Sequence, residues 1–326
     1  MGHQRNKRGS TRVWQSAVAR ELMKMSSDND PRTAIVQCAR NLLEEAQIIA
    51  PPVNLELLGS FQRIHTVEAV EMQEAGRLIP DMRGLRVQVN IRHSRGKQRF
   101  TIAHEIGHTL IPAYRRAPHA VQDMVTGLFS GGQEEEYLCD VAAAELLLPD
   151  HLFRSQASAL GCNLDTVVIL ARQFLASREA IARRLTSMNL WPCAAALWHY
   201  AFKPSESAAP HQMVLGETEW TPPQPKLRVR YASASTQFGH YLYPHLSAPP
   251  DGLLIQCYTE NRVVCGEERL ILSNRPVTLY VMAAPTNFLA DEGPKREVLS
   301  LLLSEAVSQQ ARVDHADMWT ASEDDM

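Results

Sequence analysis

The most regular pattern in the chain is Leu85-Arg86-Val87-Gln88-Val89-Asn90-Ile91-Arg92, where apolar and polar residues alternate without a break. Gly84 precedes it and Ser94-Arg95-Gly96 follows, so the run predicts a half-buried strand between two turns. On either side the period changes to that of a helix. Thr33 to Ile49 places Ile35, Cys38, Ala39, Leu42, Leu43 and Ala46 on one face and stops at Pro51-Pro52. Asn54 is a natural N-cap for a short helix reaching roughly to Ile64. Beyond the strand the pattern predicts a helix over 97–111 ended by Pro112, and a second from Glu134 to Leu148 ended by Pro149. Between them, 112–132 reads as a loop or weak helix containing Pro118, Gly127, Gly131 and Gly132.

Leu164 to Phe174 and Arg178 to Met188 read as two short helices joined at Ala176-Ser177, with Ser177 as N-cap, a helix-turn-helix-like pattern. After Trp191-Pro192 the character changes to short apolar or alternating runs at 194–202, 227–233, 253–258, 262–272 and 277–284, followed by a helix near 295–308. Residues 203–226, with Pro204, Pro210, Pro222, Pro223 and Pro225, are expected to loop over the surface. The fold class expected is α+β, in two domains at 32–192 (with the helix pair 164–188) and 193–313. Residues 1–31, polar and basic, are expected to form a flexible tail, and 314–326 an acidic one.

Charge narrows the functional classes. Lys plus Arg (33) nearly balance Asp plus Glu (36), so a net charge of −3 gives no bulk attraction to nucleic acid or to an anionic membrane. No apolar run of about 18 residues occurs, and no apolar signal core follows the basic N-terminal residues, so the expected location is cytoplasmic. Asn6 stands where an N-myristoylation signal needs Ser or Thr. The six cysteines contain no C-x-x-C pair and read as reduced thiols.

The chemistry sits in His104-Glu105-Ile106-Gly107-His108. On a helix, His104 and His108 are one turn apart on the same face and can grip a metal, while Glu105 is placed to accept a proton from water. Two imidazoles and a carboxylate suit Zn2+ best, and Mn2+ or Fe2+ also occupy N/O sites. The third ligand is expected to be Glu136 on the helix 134–148, with Asp140 at i+4 able to accept a ligand histidine's N–H. Glu135 and Glu145 are the fallback ligands, and the plainer reading of Glu134 to Glu136 is a solvated first turn favoured by the helix dipole. Ala142 to Ala144 allow close approach of the two helices. His93, Tyr114 and His119 are the polar residues near the motif that could face an oxyanion, each also readable as an ordinary surface or packing residue. The edge of strand 85–92 could pair with an extended substrate.

These elements together resemble the ImmA/IrrE family of bacterial metallopeptidases. The resemblance rests on the helix ending Pro51-Pro52-Val53-Asn54-Leu55, the strand Val87-Gln88-Val89-Asn90, the stretch Gln98 to His108, and the helix with Glu136, Cys139, Asp140 and Ala143-Ala144-Glu145-Leu146-Leu147-Leu148-Pro149, over roughly 31–190. The family pattern on that last helix is Glu-x-x-Ala-Asn, whereas this chain has Cys139 and Asp140. Cys139 reads first as a small buried residue in place of alanine, and secondly as an oxidation-sensitive thiol near the metal. The resemblance implies a mainly helical, zincin-like domain with a small sheet. It also implies a metallo-endopeptidase that cuts a helix-turn-helix repressor and so derepresses stress or mobile-element genes. Two alternatives remain: a peptidase acting on an antitoxin or short peptides, and a DNA-binding regulator with a structural metal site. Against direct DNA binding, the helix pair is only mildly positive, with Arg172, Arg178, Arg183 and Arg184 set against Asp165 and Glu179. The C-terminal part resembles a GAF-like sensor. Its Trp198, Tyr200, Phe238, Tyr241, Tyr243 and Tyr258 read as core or as a ligand pocket, and His240 and His245 lack a third ligand nearby.

Overall fold

The computed structural model describes residues 13–112, 114, 132–207, 223–290 and 293–304. The expectations for 1–12, most of the loop 112–132 with Pro118, Gly127, Gly131 and His119, Pro210 and Pro222 in 203–226, and the acidic end 314–326 lie outside these residues. Chain contacts divide the protein into two compact units, Met1–Pro149 and Asp150–Met326. Both mix helices and strands, so the fold class is α+β.

In the first unit the order is α1 (Ala17–Met23), α2 (Pro31–Glu45), α3 (Leu55–Phe61), β1 (Ile64–Val70), β2 (Gly76–Asp81), β3 (Gly84–Asn90), α4 (Arg95–Leu110) and α5 (Gln133–Leu147). The helix starts follow capping chemistry. The side chains of Ser16, Asp30, Asn54 and Ser94 accept from the N–H groups of Ala19, Arg32, Leu57 and Lys97. α1 lies within the segment expected to be a tail. Ala19 and Leu22 are buried, so this short helix gains the apolar contacts that composition alone hides.

The three strands form one sheet in the order β1-β3-β2, with β1 parallel and β2 antiparallel to β3. β3 is the strand its alternation predicts, and Val87 and Val89 are buried. It is not an edge, because it is paired on both sides. β2 is the edge beside α4, which corrects the expectation that 85–92 offers an open edge. Pro80 inside Gly76-Arg77-Leu78-Ile79-Pro80-Asp81 hides this strand from pattern reading, and an edge is where a strand tolerates proline.

In the second unit the order is α6 (Asp150–Leu160), α7 (Leu164–Phe174), α8 (Arg178–Ser187), β4 (Cys193–Ala201), α9 (Pro204–Ser207), β5 (Lys226–Ala234), α10 (Leu253–Glu260), β6 (Val264–Leu272), β7 (Arg275–Ala290) and β8 (Gly293–Leu303). The strands form an antiparallel sheet in the order β5-β4-β8-β7-β6. The helix expected near 295–308 is β8. Val298 to Leu303 is almost continuously apolar because β8 is central and buried, and such a run has no period that separates strand from helix. The same ambiguity acts in reverse at 253–258, an apolar run that forms α10, with Leu254 and Cys257 in a core shared with Trp198, Val229 and Val281.

α7 and α8 occupy the positions their periodicity predicts, with Ser177 capping α8 and Leu175 turning the chain in the left-handed region. Arg178 is buried, the guanidinium of Arg183 stands 3.5 Å over the Tyr231 ring and pairs with Glu179 at 2.7 Å, and Thr186 bonds Ser233 at 2.7 Å. Trp198 and Phe238 belong to the core, Trp198 donating to Ser300 Oγ at 2.8 Å, whereas Tyr200, Tyr241 and Tyr243 are exposed. No helix among the described residues is long and apolar enough to cross a membrane.

Candidate metal centre

The centre is assembled by α4 lying against α5 and by the edge strand β2. Side-chain bonds at the β3–α4 turn fix the start of α4. Gln98 donates to the carbonyls of Asn90, Ile91 and His93, at 3.2, 3.3 and 2.9 Å, and Arg99 donates to Val53 O at 2.8 Å. Asn90 is buried and donates to Met72 O and Glu74 O at 2.6 and 3.2 Å, pinning the turn that leads into β2. At α5, the carboxylate of Glu134 accepts the backbone N–H groups of Gln15 and Ser16 at 3.0 and 2.8 Å, and Trp14 packs on Tyr137 with ring centroids 6.1 Å apart. The N-terminal segment thus holds the first turn of the acidic helix, a function that sequence reading missed because Glu134 looks like one of three equivalent acids.

Two glycines set the approach distances. A Cβ on Gly107 would stand 3.1 Å from Cys139 O and 3.3 Å from the Ala142 methyl, so glycine lets the backbones of α4 and α5 come together. A Cβ on Gly76 would collide with Thr101 and stand 3.3 Å from Glu105 Oε1, so glycine lets β2 cross close over α4 beside Glu105.

The histidines are then oriented in the same way. His104 Nδ1 lies 2.8 Å from Asp140 Oδ1 and its Nε2 lies 3.1 Å from Glu136 Oε2. His108 Nδ1 lies 3.3 Å from Cys139 Sγ and its Nε2 lies 3.8 Å from Glu136 Oε1. One nitrogen of each ring is held by α5, and the other faces Glu136. Among the described residues, His104, His108 and Glu136 are the one group of three such side chains whose ligand atoms all lie within 4.8 Å of one another. Two imidazoles and a carboxylate at this spacing fit a divalent ion.

The fallback ligands stand elsewhere. Glu145 is buried in an ion pair with Arg40 at 2.9 Å, and Glu135 Oε1 lies 3.8 Å from His108 Nδ1, on the side of the ring turned away from Glu136. His93 bonds Lys97 at 2.9 Å. Neither His93 nor Tyr114 lines the cleft, and burial pushes the Tyr114 hydroxyl up to about 12.

Burial also raises the Glu105 carboxyl above its ordinary value, against the opposing pull of His108 and His104. For His104, burial works to lower the pKa, but the bond to Asp140 and the charges of Asp140, Glu105 and Glu136 outweigh it and raise the value. Burial, reinforced by Glu135, Glu136, Glu105 and Asp140, raises the Cys139 thiol far above its usual range.

The cleft above these groups has a volume of about 840 Å³. Its walls are Ala75 and β2 from Gly76 to Ile79, Lys97, Phe100 and Thr101 of α4, and Glu136 and Asp140 of α5. Ala75 O accepts from Asn90 N at 2.9 Å. By the two-residue alternation of a strand, the N–H and C=O of Gly76 and Leu78 therefore point away from β3, along the edge that no other strand pairs with among the described residues.

No curated protein matches the chain. Among solved structures, a protein described as a Mycobacterium tuberculosis transcriptional regulator is similar, with a TM-score of 0.54 at 14% identity over 93% of this chain and 85% of that one. At that identity the likeness concerns the fold. The family model described as Peptidase_M78, IrrE N-terminal-like domain, matches residues 63–186, which include β1 to β3, α4 and α5. The segment 63–186 is therefore an IrrE N-terminal-like domain of the Peptidase_M78 family, the family that its motifs resemble.

Proposed function

We propose that this protein is a metal-dependent endopeptidase whose ion is held by His104, His108 and Glu136 and whose substrate is a protein, in first place a helix-turn-helix transcriptional repressor. The observation that carries the reading is that both histidines have Nδ1 engaged by α5 and Nε2 turned to Glu136, with Glu105 buried beside them. A divalent ion held there, zinc fitting the donor set best, supplies Lewis acidity toward the scissile carbonyl and the attacking water.

Glu105 takes the proton of the water as its oxygen bonds to the carbonyl carbon. The same carboxyl then delivers that proton to the amine nitrogen as the C–N bond breaks. Asp140 accepts the Nδ1–H of His104 and keeps Nε2 free for ligation. The open N–H and C=O groups of Gly76 and Leu78 hold an extended substrate segment by adding it to β2, which selects loops and unfolded stretches.

The peptidase family and a fold neighbour named as a transcriptional regulator support a regulatory protein as target. The DNA-binding alternative is disfavoured by the helix pair itself, since Arg178 is buried and Arg183 is committed to Tyr231 and Glu179. In the test, zinc-loaded protein is incubated with the repressor encoded beside its gene and the fragments are read by mass spectrometry. One discrete cut that disappears with Glu105→Gln is expected. An intact repressor with metal occupancy confirmed would overturn the choice of substrate, and a cut that survives in the variant would remove Glu105 from the chemistry.

A further inference from the structure

We infer that Cys139 is a positioning residue for His108: its thiol sulfur accepts the Nδ1–H of that imidazole and so fixes the tautomer that presents Nε2 to the metal. The inference rests on the reading of His104, His108 and Glu136 as metal ligands, and it assigns Cys139 the part at His108 that Asp140 plays at His104.

The geometry carries it. Sγ and Nδ1 are 3.3 Å apart, within the range of a sulfur hydrogen bond, and both side chains are buried. A neutral imidazole has one N–H and one lone pair, so whichever partner faces Nδ1 decides what Nε2 can do. If Nδ1–H donates to sulfur, the Nε2 lone pair faces Glu136 and is available to an ion. If the S–H donated to Nδ1, Nε2 would carry the proton and could not ligate. The contact exists because Gly107, the residue before His108, lets α4 approach α5 at Cys139 itself. Glu135 Oε1, at 3.8 Å from the same nitrogen, is beyond hydrogen-bond range and is the competitor to be eliminated.

The two histidines are consequently anchored by acceptors of different strength. A carboxylate at 2.8 Å holds His104, whereas a cysteine sulfur at 3.3 Å, a weak acceptor, holds His108. His108 is the ligand whose orientation depends more on packing and less on charge.

The test has a readout independent of catalysis. Long-range nitrogen–proton correlation spectra of the metal-free wild type, taken where His108 is neutral, are expected to show its proton on Nδ1. A proton on Nε2 would overturn the inference without any variant. Cys139→Ala is expected to mix the two tautomers and weaken zinc binding, measured by chelator competition, by about 10-fold, as for other partners of ligand histidines. Cys139→Ser, whose hydroxyl can accept the same bond, is expected to restore both, and Glu135→Gln to change neither. Wild-type affinity and tautomer in Cys139→Ala, or equal losses in the Ala and Ser variants, would make the thiol a packing group only. If no metal binds the wild type, the peptidase reading fails by itself, while the metal-free spectra still decide the Cys139 bond.

Discussion

Two helix pairs in this protein both carry clustered polar residues and differ in what they do with them. α4 and α5 carry His104, Glu105, His108, Glu136 and Asp140, while α7 and α8 carry Arg172, Arg178, Glu179, Arg183 and Arg184. In the first pair the polar groups converge on one cleft, each ring held by one nitrogen and presenting the other. In the second pair several of the groups are drawn into the fold's own packing. Arg178 is buried, Arg183 lies on Tyr231 and pairs with Glu179, and Thr186 bonds Ser233. A polar cluster becomes a candidate site when its geometry leaves a donor set aimed at empty space, and a charged helix pair with Arg178 buried and Arg183 engaged has fewer cations left for a ligand.

The largest effect that tests this contrast belongs to Glu105. Glu105→Gln keeps the shape and the three ligand residues but loses the proton acceptor, so cleavage should fall by about 10²–10⁴-fold. Zinc content, measured on the same preparation, should stay at the wild-type level. Loss of the metal together with activity would mean that Glu105 belongs to the ligand set.

Next in size is Asp140. Asp140→Ala removes the acceptor of His104 Nδ1–H, and metal affinity by chelator competition should drop by about 10-fold or somewhat more, since partners of ligand histidines are worth about 10–100-fold and this one is half exposed. Unchanged affinity would show that packing alone orients His104.

How much of this was legible in the sequence follows from the same contrast. The candidate metal centre is legible because ligand chemistry demands fixed residue types at fixed spacing, and the structure brings His104, His108, Glu136 and Asp140 together. The helix pair was readable from its period and from Ser177. What escaped depends on partners distant in sequence. The edge role of β2 requires knowing that β1 pairs with the far side of β3. The contact between Cys139 and His108 requires the approach that Gly107 allows, and a glycine inside H-E-x-x-H with three alanines on the partner helix is the available signal. β8 was misread because burial on both faces removes the period on which the reading relies.

A buried carboxylate in the second unit sharpens the comparison with Glu105. Glu268 on β6 is 5% exposed. One oxygen accepts the N–H of Leu254 at the start of α10 at 3.3 Å, and the other has no partner among the described residues. Burial raises its pKa from 4.5 to about 7, the Leu254 bond opposing the shift. The folded form thus keeps a proton that the unfolded chain has lost. Stability from this group is complete below about pH 4.5, falls as pH rises toward about 7, and is flat above. Glu268→Gln should remove that slope. Relative to wild type, the variant should gain roughly 1–3 kcal/mol between pH 5 and pH 7.5 in urea unfolding. A difference that stays constant with pH would show that Glu268 is ionised in the fold.

The smallest effect is the one that tests the second helix pair most directly. Arg183→Ala removes a cation–π contact and an exposed pair with Glu179, worth together on the order of 1 kcal/mol. Zinc affinity and cleavage should be unchanged, because no group of α8 lines the cleft. If the pair is structural, binding to duplex DNA should be weak and equally salt-dependent in wild type and variant. If α8 is a recognition helix, the loss of one cation should lower DNA affinity and flatten its salt dependence by about one unit in the log–log slope. A stability loss with no change in that slope assigns Arg183 to the fold, whereas a slope change with no stability loss would reverse the contrast between the two pairs.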